Sequence, residues 1–208
     1  MTLATAPGDT PPRPLPLPLG PELTAGGAAA SVRLSVPGRA LVLVAGVPGA
    51  GKSTLLRRMP ELPGLRVLDS ETQRDLVARV LPGIPYARIR PLVHLLHRLA
   101  AVVTAIGSAR VVVVHLPATS PGLRRTVRGL ARLTRRSAYL VWIDAAPAEA
   151  LRGQADRGRL IESGSFARHV SRANGVAARI SAGTLGERWT RAIALDRPTA
   201  ARGLAVTL

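Results

Sequence analysis

The sequence of 208 residues has no cysteine, and only 2% of it is aromatic. The absence of cysteine excludes disulfide bonds and thiolate metal sites, and it is typical of proteins of the reducing cytoplasm. Few aromatic side chains mean few stacking platforms for single-stranded nucleic acid. No run reaches the roughly 18 to 20 apolar residues of a membrane span, and the N-terminus does not resemble a signal peptide. We therefore expect a cytoplasmic protein without a membrane partner.

Negative charge and lysine are also scarce. The chain has 29 basic residues against 12 acidic ones, a net charge of +17, and all but one of the basic residues are arginine. Clustered arginine attracts polyanions, so a nucleic-acid partner is one interpretation of this charge. A strong preference for arginine, alanine, glycine and proline is also expected of a GC-rich genome. The charge by itself therefore does not identify a partner.

The single lysine lies in a pattern for binding phosphate. The pattern G-x-x-x-x-G-K-[ST] is matched at every fixed position by Gly46-Val47-Pro48-Gly49-Ala50-Gly51-Lys52-Ser53-Thr54. Its glycines let backbone N–H groups turn towards phosphate oxygens. Lysine then reaches the β- and γ-phosphates, and the hydroxyl of Ser53 is placed to bind Mg²⁺. The stretch predicts a site for ATP and Mg²⁺.

The residues on either side of this loop have the pattern that a phosphate-binding loop requires. The apolar run at 40–45, rich in valine and leucine, is typical of a buried parallel strand. Residues 53–59 then begin a helix that ends before Pro60. A strand, a glycine turn and a helix N-terminus together direct backbone N–H groups at an anion.

Apolar runs alternate with helical segments along the rest of the chain. Strands are predicted at 65–69, 111–115, 138–144 and 192–195, and helices at 70–81, 88–107, 121–136, 148–155 and 166–180. The helix at 88–107 has a broad apolar face, and Ser70 and Ser120 are candidate N-caps. Such alternation favours right-handed crossovers between parallel strands. The predicted fold class is α/β: a three-layer P-loop NTPase fold with a five-stranded parallel sheet and helices on both faces.

Residues 1–38 differ in composition from the rest. They contain eight prolines and a run of glycine and alanine at 26–30, which favours polyproline II or disorder. A short strand at 32–36 is the one regular element expected there. We predict a disordered Pro/Gly-rich tail at 1–38 and a kinase-like ATP-binding domain at 39–208.

The candidates for chemistry lie at the ends of the predicted strands, where such sheets bind their ligands. Asp69 ends the second strand, where a carboxylate can accept the proton of an attacking hydroxyl or hold Mg²⁺ through water. Arg74, about one turn later, is placed to orient an acceptor; a capping Asp and a surface Arg are the alternative. His115 ends the third strand as a neutral hydrogen-bonding group near the phosphates or as a core histidine. His94 and His97 lack partners for a metal site and are expected at the surface or in an acceptor pocket.

Two arginine-rich segments remain. The segment after the fourth strand contains Arg152, Gln154, Arg157 and Arg159. An arginine-bearing lid at this place can close over ATP and exclude water; a solvated loop is the alternative. Along the helix at 121–136, arginines fall at helical spacing at positions 124, 128, 132, 135 and 136. We expect a solvated face there, with a nucleic-acid or acidic-partner surface as the second interpretation.

Taken in order, these motifs resemble the zeta-toxin-like and polynucleotide-kinase-like P-loop small kinases. The resemblance, which extends to short AAA-family ATP-binding proteins, rests on the loop at 46–54, the strand end Leu68-Asp69 with Arg74 downstream, and the segment from Gln154 to Arg159. It covers about residues 36–197. The His115 strand end and the Ser70-Glu71 pair after Asp69 depart from the pattern, since an Asp is common at the place of His115 and a second Asp is common after Asp69.

The resemblance implies a role for each candidate residue. Lys52 and Ser53 would bind ATP·Mg²⁺, with Ser53 and Asp69 at the metal. Asp69 would be the catalytic base and Arg74 the acceptor-binding arginine. The remaining implied positions are the lid residues Arg157 and Arg159, and the pair Asp196-Arg197 near the adenine.

The leading hypothesis is an ATP-dependent phosphotransferase that acts on a hydroxyl of a small molecule or of a nucleic-acid end. A protein of a different class, an ATPase or an ATP-binding regulator without an acceptor, is the alternative. A polynucleotide 5′-hydroxyl kinase is the version that would use the positive charge. A GTPase is not expected, because its base-recognition motif needs a lysine and Lys52 is already used.

Overall fold

The computed structural model describes residues 32–156 and 162–208. The strands are β1 (Val32–Ser35), β2 (Ala40–Gly46), β3 (Leu65–Leu68), β4 (Val111–His115), β5 (Ser137–Ile143), β6 (Arg191–Leu195) and β7 (Leu204–Thr207). The helices are α1 (Lys52–Arg57), α2 (Ser70–Val80), α3 (Tyr86–Ile106), α4 (Pro121–Leu133), α5 (Pro147–Ala155), α6 (Ser163–Ala173), α7 (Val176–Ser181) and α8 (Arg197–Arg202).

Five strands form one parallel sheet in the order β3-β4-β2-β5-β6. β2 lies in the middle, with Val42 paired to Val113 of β4 and to Tyr139 of β5. Every residue of β2 is buried, because helices flank the sheet. The predicted α/β fold with a five-stranded parallel sheet is confirmed. The chain passes from β2 to β3 and β4 on one side and to β5 and β6 on the other, so the carboxyl end of β2 meets the crevice where such sheets bind ligands.

A second parallel pair lies outside this sheet. β1 pairs with β7, with Val32 opposite Leu204, and Val32, Leu34 and Val206 are buried. The strand predicted at 32–36 is therefore confirmed, and regular structure begins ahead of the predicted boundary at 38. The sequence analysis missed α8 and β7, because β7 is short and its stability comes from a partner at the other end of the described chain. The division into tail and domain stays a prediction for the residues before Val32.

One predicted helix cap and one predicted single helix are wrong. Asp69, and not Ser70, caps α2: its side chain accepts a hydrogen bond from Glu71 N, and Ser70 is the first helical residue. The helix predicted at 166–180 is in fact two helices, α6 and α7. Gly175, with a φ of 68°, precedes α7 in the left-handed conformation that glycine adopts at little cost.

The apolar face predicted for α3 points away from the sheet. The buried residues lie four positions apart along the opposite side: Ile89, Val93, His97, Ala101 and Ala105. Leu95, Leu99 and Ile106 are between 56% and 68% exposed. The alanines allow α3 to lie close to β3 and β4, so its larger side chains stay outside. Within the described ranges, α3 alone is long and apolar enough, by length and composition, to cross a membrane.

The solvated arginine face predicted for α4 holds for Arg132 and Arg135 and is wrong for two other arginines. Arg124 is buried and donates from Nε and Nη2 to the carboxylate of Glu187 at 2.7–3.0 Å. Arg136, just after α4, is also buried and donates to five backbone carbonyls between 40 and 110. Each guanidinium group therefore links separate elements of the fold. Its five N–H donors allow it to bind several acceptors at once.

Replacing Glu187 with leucine should destabilise the fold by about 3–5 kcal/mol, because the charge of Arg124 would stay buried without its carboxylate partner. Urea denaturation of the full chain measures this change in the free energy of unfolding. The double variant Arg124→Leu/Glu187→Leu should regain most of the loss, since no unpaired charge remains. A Glu187→Leu variant as stable as the wild type would show that Arg124 does not need the carboxylate of Glu187.

Candidate active site

The loop between β2 and α1 has the backbone that the phosphate-binding pattern requires. Gly46 and Gly49 have φ angles of 141° and 90°. A β-carbon would lie 2.4 Å from Ile143 O at Gly46 and 1.9 Å from Ala150 O at Gly49. No side chain fits at these two positions, so glycine is required at both. The loop is thereby held closely between the end of β5 and α5.

The side chain of Lys52 lies inside this loop. Its Nζ donates to the carbonyl oxygens of Gly46 and Val47 at 2.9 and 2.7 Å, and the residue is 5% exposed. Ser53 beside it is also buried. An ammonium group enclosed by glycine backbone fits the β- and γ-phosphates of a nucleotide, whose oxygens can replace the two carbonyls as acceptors. The predicted nucleotide-binding residues all lie together, at the end of β2, in this loop and in the first turn of α1: Gly46, Pro48, Gly49, Ala50, Gly51, Lys52, Ser53 and Thr54.

Helix α5 packs directly on the loop. Gln154, near its end, is buried and donates from Nε2 to Pro48 O at 3.1 Å. Gln154, predicted as the start of a lid, is therefore an anchor of α5 on the phosphate loop. The predicted lid arginines Arg157 and Arg159 lie outside the described residues, and their role stays a prediction.

Asp69 follows β3 and is bonded to the end of β4. Its Oδ1 accepts hydrogen bonds from His115 Nδ1 at 2.9 Å and from Glu71 N at 3.3 Å. Burial raises the pKa of this carboxyl, but its hydrogen bonds with His115 and with the N–H of Glu71 outweigh burial and lower the pKa to about 2. Asp69 is therefore ionised at neutral pH, and it serves at the same time as the cap of α2.

His115 links Asp69 to the interior. Burial lowers the pKa of His115, the hydrogen bond to Asp69 offsets part of that shift, and the charge of Lys52 lowers the pKa again. Neutral His115 donates through Nδ1 to Asp69, while its backbone carbonyl accepts from Nε2 of His97 at 2.9 Å. His97 is 1% exposed, with Gln73 3.1 Å from its Nδ1. His97 is thus not a surface residue but a buried link between α2, α3 and β4.

Arg74 and His94 lie on the two helices that follow Asp69. The guanidinium of Arg74 lies 5.1 Å from the ring centre of Tyr86, at the start of α3. Arg90 donates from Nε to His94 Nε2 at 3.3 Å. Burial lowers the pKa of His94, and the charge of Arg90 lowers it further. The structure places Arg74 at the junction of α2 and α3, and its contact with an acceptor stays a prediction.

The sequence analysis missed His169. This residue of α6 has its Nδ1 2.8 Å from Oγ1 of Thr119, in the segment that follows β4. Burial lowers the pKa of His169, and the positive charge of Lys52 is the next cause. No motif marks His169, because α6 meets the segment after β4 only through tertiary packing.

A cavity of about 250 Å³ lies on the α1 side of the loop. Gly51, Thr54 and Arg197 are among the residues that line it. Arg197, which the resemblance places near the adenine, is therefore next to the loop. Its neighbour Asp196 is exposed and caps α8 by accepting from Thr199 N at 2.8 Å.

The donors present fit Mg²⁺ carried by a nucleotide better than a metal site made of protein alone. Among residues 32–156 and 162–208, no group of three or more His, Cys, Asp or Glu side chains could hold a metal ion. Ser53 lies in the loop, while Asp69 is bonded to His115. Mg²⁺ commonly takes most of its ligands from phosphates and water, so the hydroxyl of Ser53 and one carboxylate acting through water would suffice.

Acidification below about pH 6.5 should destabilise the fold through its histidines, because burial lowers the pKa of each one: His94, His97, His115 and His169. The unfolded chain binds more protons than the folded one between the ordinary histidine pKa of 6.5 and the lowered values. The contribution of the neutral, buried histidines to stability is thus complete above pH 6.5. It is lost as the pH falls from 6.5 through the folded pKa values. Urea denaturation at pH 7.5 and 5.5 measures this loss, which His97→Gln should reduce. Equal stability of the wild type at both pH values would contradict the prediction.

The chain resembles known proteins in sequence and in fold. The sequence model of a family described as an AAA domain matches residues 41–178. No curated protein matches the chain. A chain of the PezAT chromosomal toxin–antitoxin system of Streptococcus pneumoniae is 13% identical, with 85% of this chain and 73% of that chain covered and a TM-score of 0.56. A gluconokinase from Sinorhizobium meliloti 1021 is 17% identical, with 81% and 90% covered and a TM-score of 0.51.

The identities to the two solved structures are low, so these structures show only that the fold is shared. The family model matches more than half of the chain and therefore shows the family. The phosphate loop after β2 and the five-stranded parallel sheet agree with the family match and with the structural likeness. The chain therefore belongs to the AAA-domain family of P-loop nucleotide-binding proteins and has the fold of the P-loop small kinases.

Proposed function

We propose that this protein is a cytoplasmic kinase that transfers the γ-phosphate of ATP to a hydroxyl of a small molecule or of a nucleic-acid end. The observation that carries the proposal is an ionised carboxylate that is bonded to the end of β4, the strand next to β2 and its phosphate loop. Asp69 is held by His115 at 2.9 Å, and His115 in turn is close enough to Lys52 for its pKa to be lowered by the lysine charge. A carboxylate at this edge of the sheet supports transfer to a hydroxyl.

In the proposed reaction, the oxygen of the acceptor hydroxyl forms a bond to the γ-phosphorus, and Asp69 accepts the hydroxyl proton. The bond from the γ-phosphorus to the bridging oxygen breaks, and ADP leaves with the electron pair. A carboxyl with a pKa of about 2 is a weak base. We therefore assign Asp69 chiefly to orienting the hydroxyl, with proton transfer late in a loose transition state.

The other residues bind, orient and exclude water. Lys52 and the loop N–H groups stabilise the phosphate charge, and Arg74 orients the acceptor. The proposed lid role of Arg157 and Arg159, which is to exclude water from ATP, rests on the resemblance alone. Ser53 would hold Mg²⁺, with Asp69 contributing through water, and the metal would neutralise charge on the β- and γ-phosphates.

The alternative function is that of an ATPase or an ATP-binding regulator without an acceptor. It is favoured by the two hydrogen bonds that already occupy Asp69 Oδ1, because they would also be made by a carboxylate with a purely structural role. Hydrolysis of ATP at the same rate with and without candidate acceptors would support this alternative.

Incubation of the full chain with γ-labelled ATP, Mg²⁺ and pools of metabolites or 5′-hydroxyl oligonucleotides tests the proposal. We expect label in an organic product that is absent when the pool is omitted. Labelling of the oligonucleotide alone would identify a nucleic-acid end as the acceptor, and its binding should then weaken steeply with salt. Tight binding of ATP without transfer to any pool would contradict the proposal.

His115→Asn should keep most of the transfer activity, whereas His115→Leu should lower kcat by about tenfold or more. The asparagine NH₂ group can replace Nδ1–H as the donor to Asp69, but leucine cannot. A hydrogen bond to a charged group contributes about 1.5–3 kcal/mol. The KM for ATP should not change, since neither variant alters the loop. A leucine variant with wild-type kcat would show that the contact with His115 does not position Asp69.

A further inference from the structure

The segment between β4 and α4, residues 116–120, contacts the phosphate loop, and we call it the β4 loop. Gly46 N, at the start of the phosphate loop, donates to Pro117 O at 3.1 Å. His115, the residue just before the β4 loop, is bonded to Asp69 at 2.9 Å. The β4 loop thus joins the residue that holds the candidate carboxylate to the start of the phosphate loop. Its course therefore helps to set the distance between the two.

The backbone of the β4 loop is strained at Ala118. This buried residue has a φ of 42°, in the left-handed region that alanine rarely adopts. Among the described residues that carry a β-carbon, only Ala118 and Arg135 have a positive φ. Such a conformation persists only where the surrounding structure holds it, and it is most common at functional sites. Contacts from outside the β4 loop must therefore fix its course.

The guanidinium of Arg124, in the first turn of α4, supplies these contacts. Its Nη1 donates to Ala118 O and to Thr119 O, each at 3.0 Å. Its Nε and Nη2 donate to the carboxylate of Glu187 at 2.7–3.0 Å, and its Cζ lies 5.9 Å from the ring centre of Trp142. The guanidinium is thus fixed by Glu187 and Trp142 while it holds two carbonyls of the β4 loop.

Both ends of this arrangement are anchored elsewhere in the fold. The ring N–H of Trp189 donates to Glu187 Oε2 at 3.0 Å and so orients the carboxylate. Thr119 is buried, and its hydroxyl lies 2.8 Å from Nδ1 of His169 on α6. Arg124 therefore belongs to a buried hydrogen-bonded network, and such networks favour a single conformation.

Stability alone does not explain why the chain uses an arginine at this place. A well-packed apolar pair at positions 124 and 187 is often as stable as a buried ion pair. Such a pair has no N–H groups for the carbonyls of Ala118 and Thr119, which the guanidinium binds. Control of the β4 loop is therefore what the arginine adds.

We propose that Arg124 is a positioning residue for phosphoryl transfer, which acts by holding the β4 loop against the phosphate loop. With the β4 loop fixed, His115 keeps Asp69 at the distance from the γ-phosphate that transfer requires. This inference rests on the proposed kinase function and adds a residue to its site. In this role Arg124 contacts neither ATP nor the acceptor and acts only through the β4 loop.

The double variant Arg124→Leu/Glu187→Leu tests this role, because it removes the donors to the β4 loop without leaving a buried charge unpaired. The measurement is the rate of transfer from saturating γ-labelled ATP to the metabolite or 5′-hydroxyl oligonucleotide pool that the wild type uses. This rate should fall by about tenfold to a hundredfold, the cost of a small displacement of a reacting group. The Kd for ATP with Mg²⁺ should stay close to that of the wild type, because the phosphate loop keeps its close packing on β5 and α5.

Arg136→Leu is the matched control. Arg136 is also buried and also donates to backbone carbonyls, but these lie at the opposite end of the sheet, such as that of Ala40 at the start of β2. The control should be less stable than the wild type, while its folded form transfers phosphate at the wild-type rate. Arg124→Lys is a second test that keeps a positive charge beside Glu187. It should lose the same activity, because an ammonium group does not span the carboxylate and both carbonyls.

Ala118→Gly shows whether Arg124 acts through the β4 loop. Glycine adopts the left-handed conformation at little cost, so in the double variant it should raise the rate by up to about tenfold, the advantage that glycine has over alanine in this conformation. In the wild-type background the same substitution should leave the rate unchanged, because Arg124 already holds the β4 loop. A purely structural role of Arg124 predicts no such rescue.

A folded double variant or an Arg124→Lys variant with the wild-type rate overturns this inference and leaves the proposed function standing. An equal loss of rate in the Arg136→Leu control also overturns it, because the loss would then follow from lower stability. A double variant whose rate Ala118→Gly does not raise overturns the action through the β4 loop. A wild-type protein that binds ATP but transfers phosphate to no pool overturns the proposed function and this inference with it.

Discussion

Replacing Lys52 with alanine should lower phosphoryl transfer by about a hundredfold to a thousandfold or more, the cost of removing one preorganised charged donor at a developing negative charge. Lys52 is the only lysine of the chain, so no second ammonium group can take its place. Its Nζ is enclosed by the carbonyls of Gly46 and Val47. The measurement is the initial rate of transfer from γ-labelled ATP to the acceptor pool that the wild type uses.

Two further variants show whether the lysine itself is required. Lys52→Arg should not restore activity, because a planar guanidinium needs more room than the enclosed ammonium group leaves. Arg79→Gln also removes one positive charge, but from an exposed position on α2, and it should leave the rate unchanged. A folded Lys52→Ala protein with the wild-type rate would remove the phosphate loop from the reaction.

Asp69→Asn should lower transfer by about a hundredfold or more, the cost of losing the charged group that orients the acceptor hydroxyl and takes its proton late in the reaction. Asparagine caps a helix as well as aspartate does. Its Oδ1 can still accept from His115 Nδ1 and Glu71 N, so both hydrogen bonds of the cap are kept. The substitution therefore removes the negative charge and the proton acceptor while α2 stays in place. The rate of transfer is compared with the affinity for ATP, which should change little.

Asp69→Ala separates the structural role of Asp69 from its chemical one. Alanine removes the cap of α2 as well, which should lower the free energy of unfolding by about 1 kcal/mol relative to Asp69→Asn. Thermal unfolding of the two variants measures the difference. If Asp69→Asn transfers phosphate at the wild-type rate, Asp69 is a helix cap only and the acceptor hydroxyl needs no carboxylate at this place.

Local signals in the sequence were sufficient to predict the fold. The phosphate loop has its own motif, and buried parallel strands read as short apolar runs that need no knowledge of their partners. All five strands of the main sheet were therefore predicted. β7 shows the limit, because this short strand pairs with β1 at the other end of the described chain.

The arginines and α3 show why periodicity misleads in this chain. The sequence pattern treats arginine as a surface residue, but Arg124 and Arg136 are buried because Glu187 and several backbone carbonyls satisfy their donors. In α3, alanines and His97 occupy the inner side because α3 lies close to β3 and β4. Which of two apolar faces is buried depends on that distance, which the sequence does not contain.

The candidate site was predictable where a strand end or a motif marks it. Asp69 and His115 were found because they terminate strands that lie in one sheet, although the hydrogen bond between them needed the structure. His169 was missed because its partner, Thr119, is fifty residues earlier in the chain. Residues that reach a site from a remote helix carry no local signal.

Calorimetric titration of ATP into the full chain, with and without Mg²⁺, tests the central claim most directly. We predict binding that strengthens when Mg²⁺ is present and that is greatly weakened in the Lys52→Ala variant. No affinity for ATP with Mg²⁺, or equal affinity in the wild type and in Lys52→Ala, would contradict the claim that the loop at residues 46–54 binds a nucleotide triphosphate.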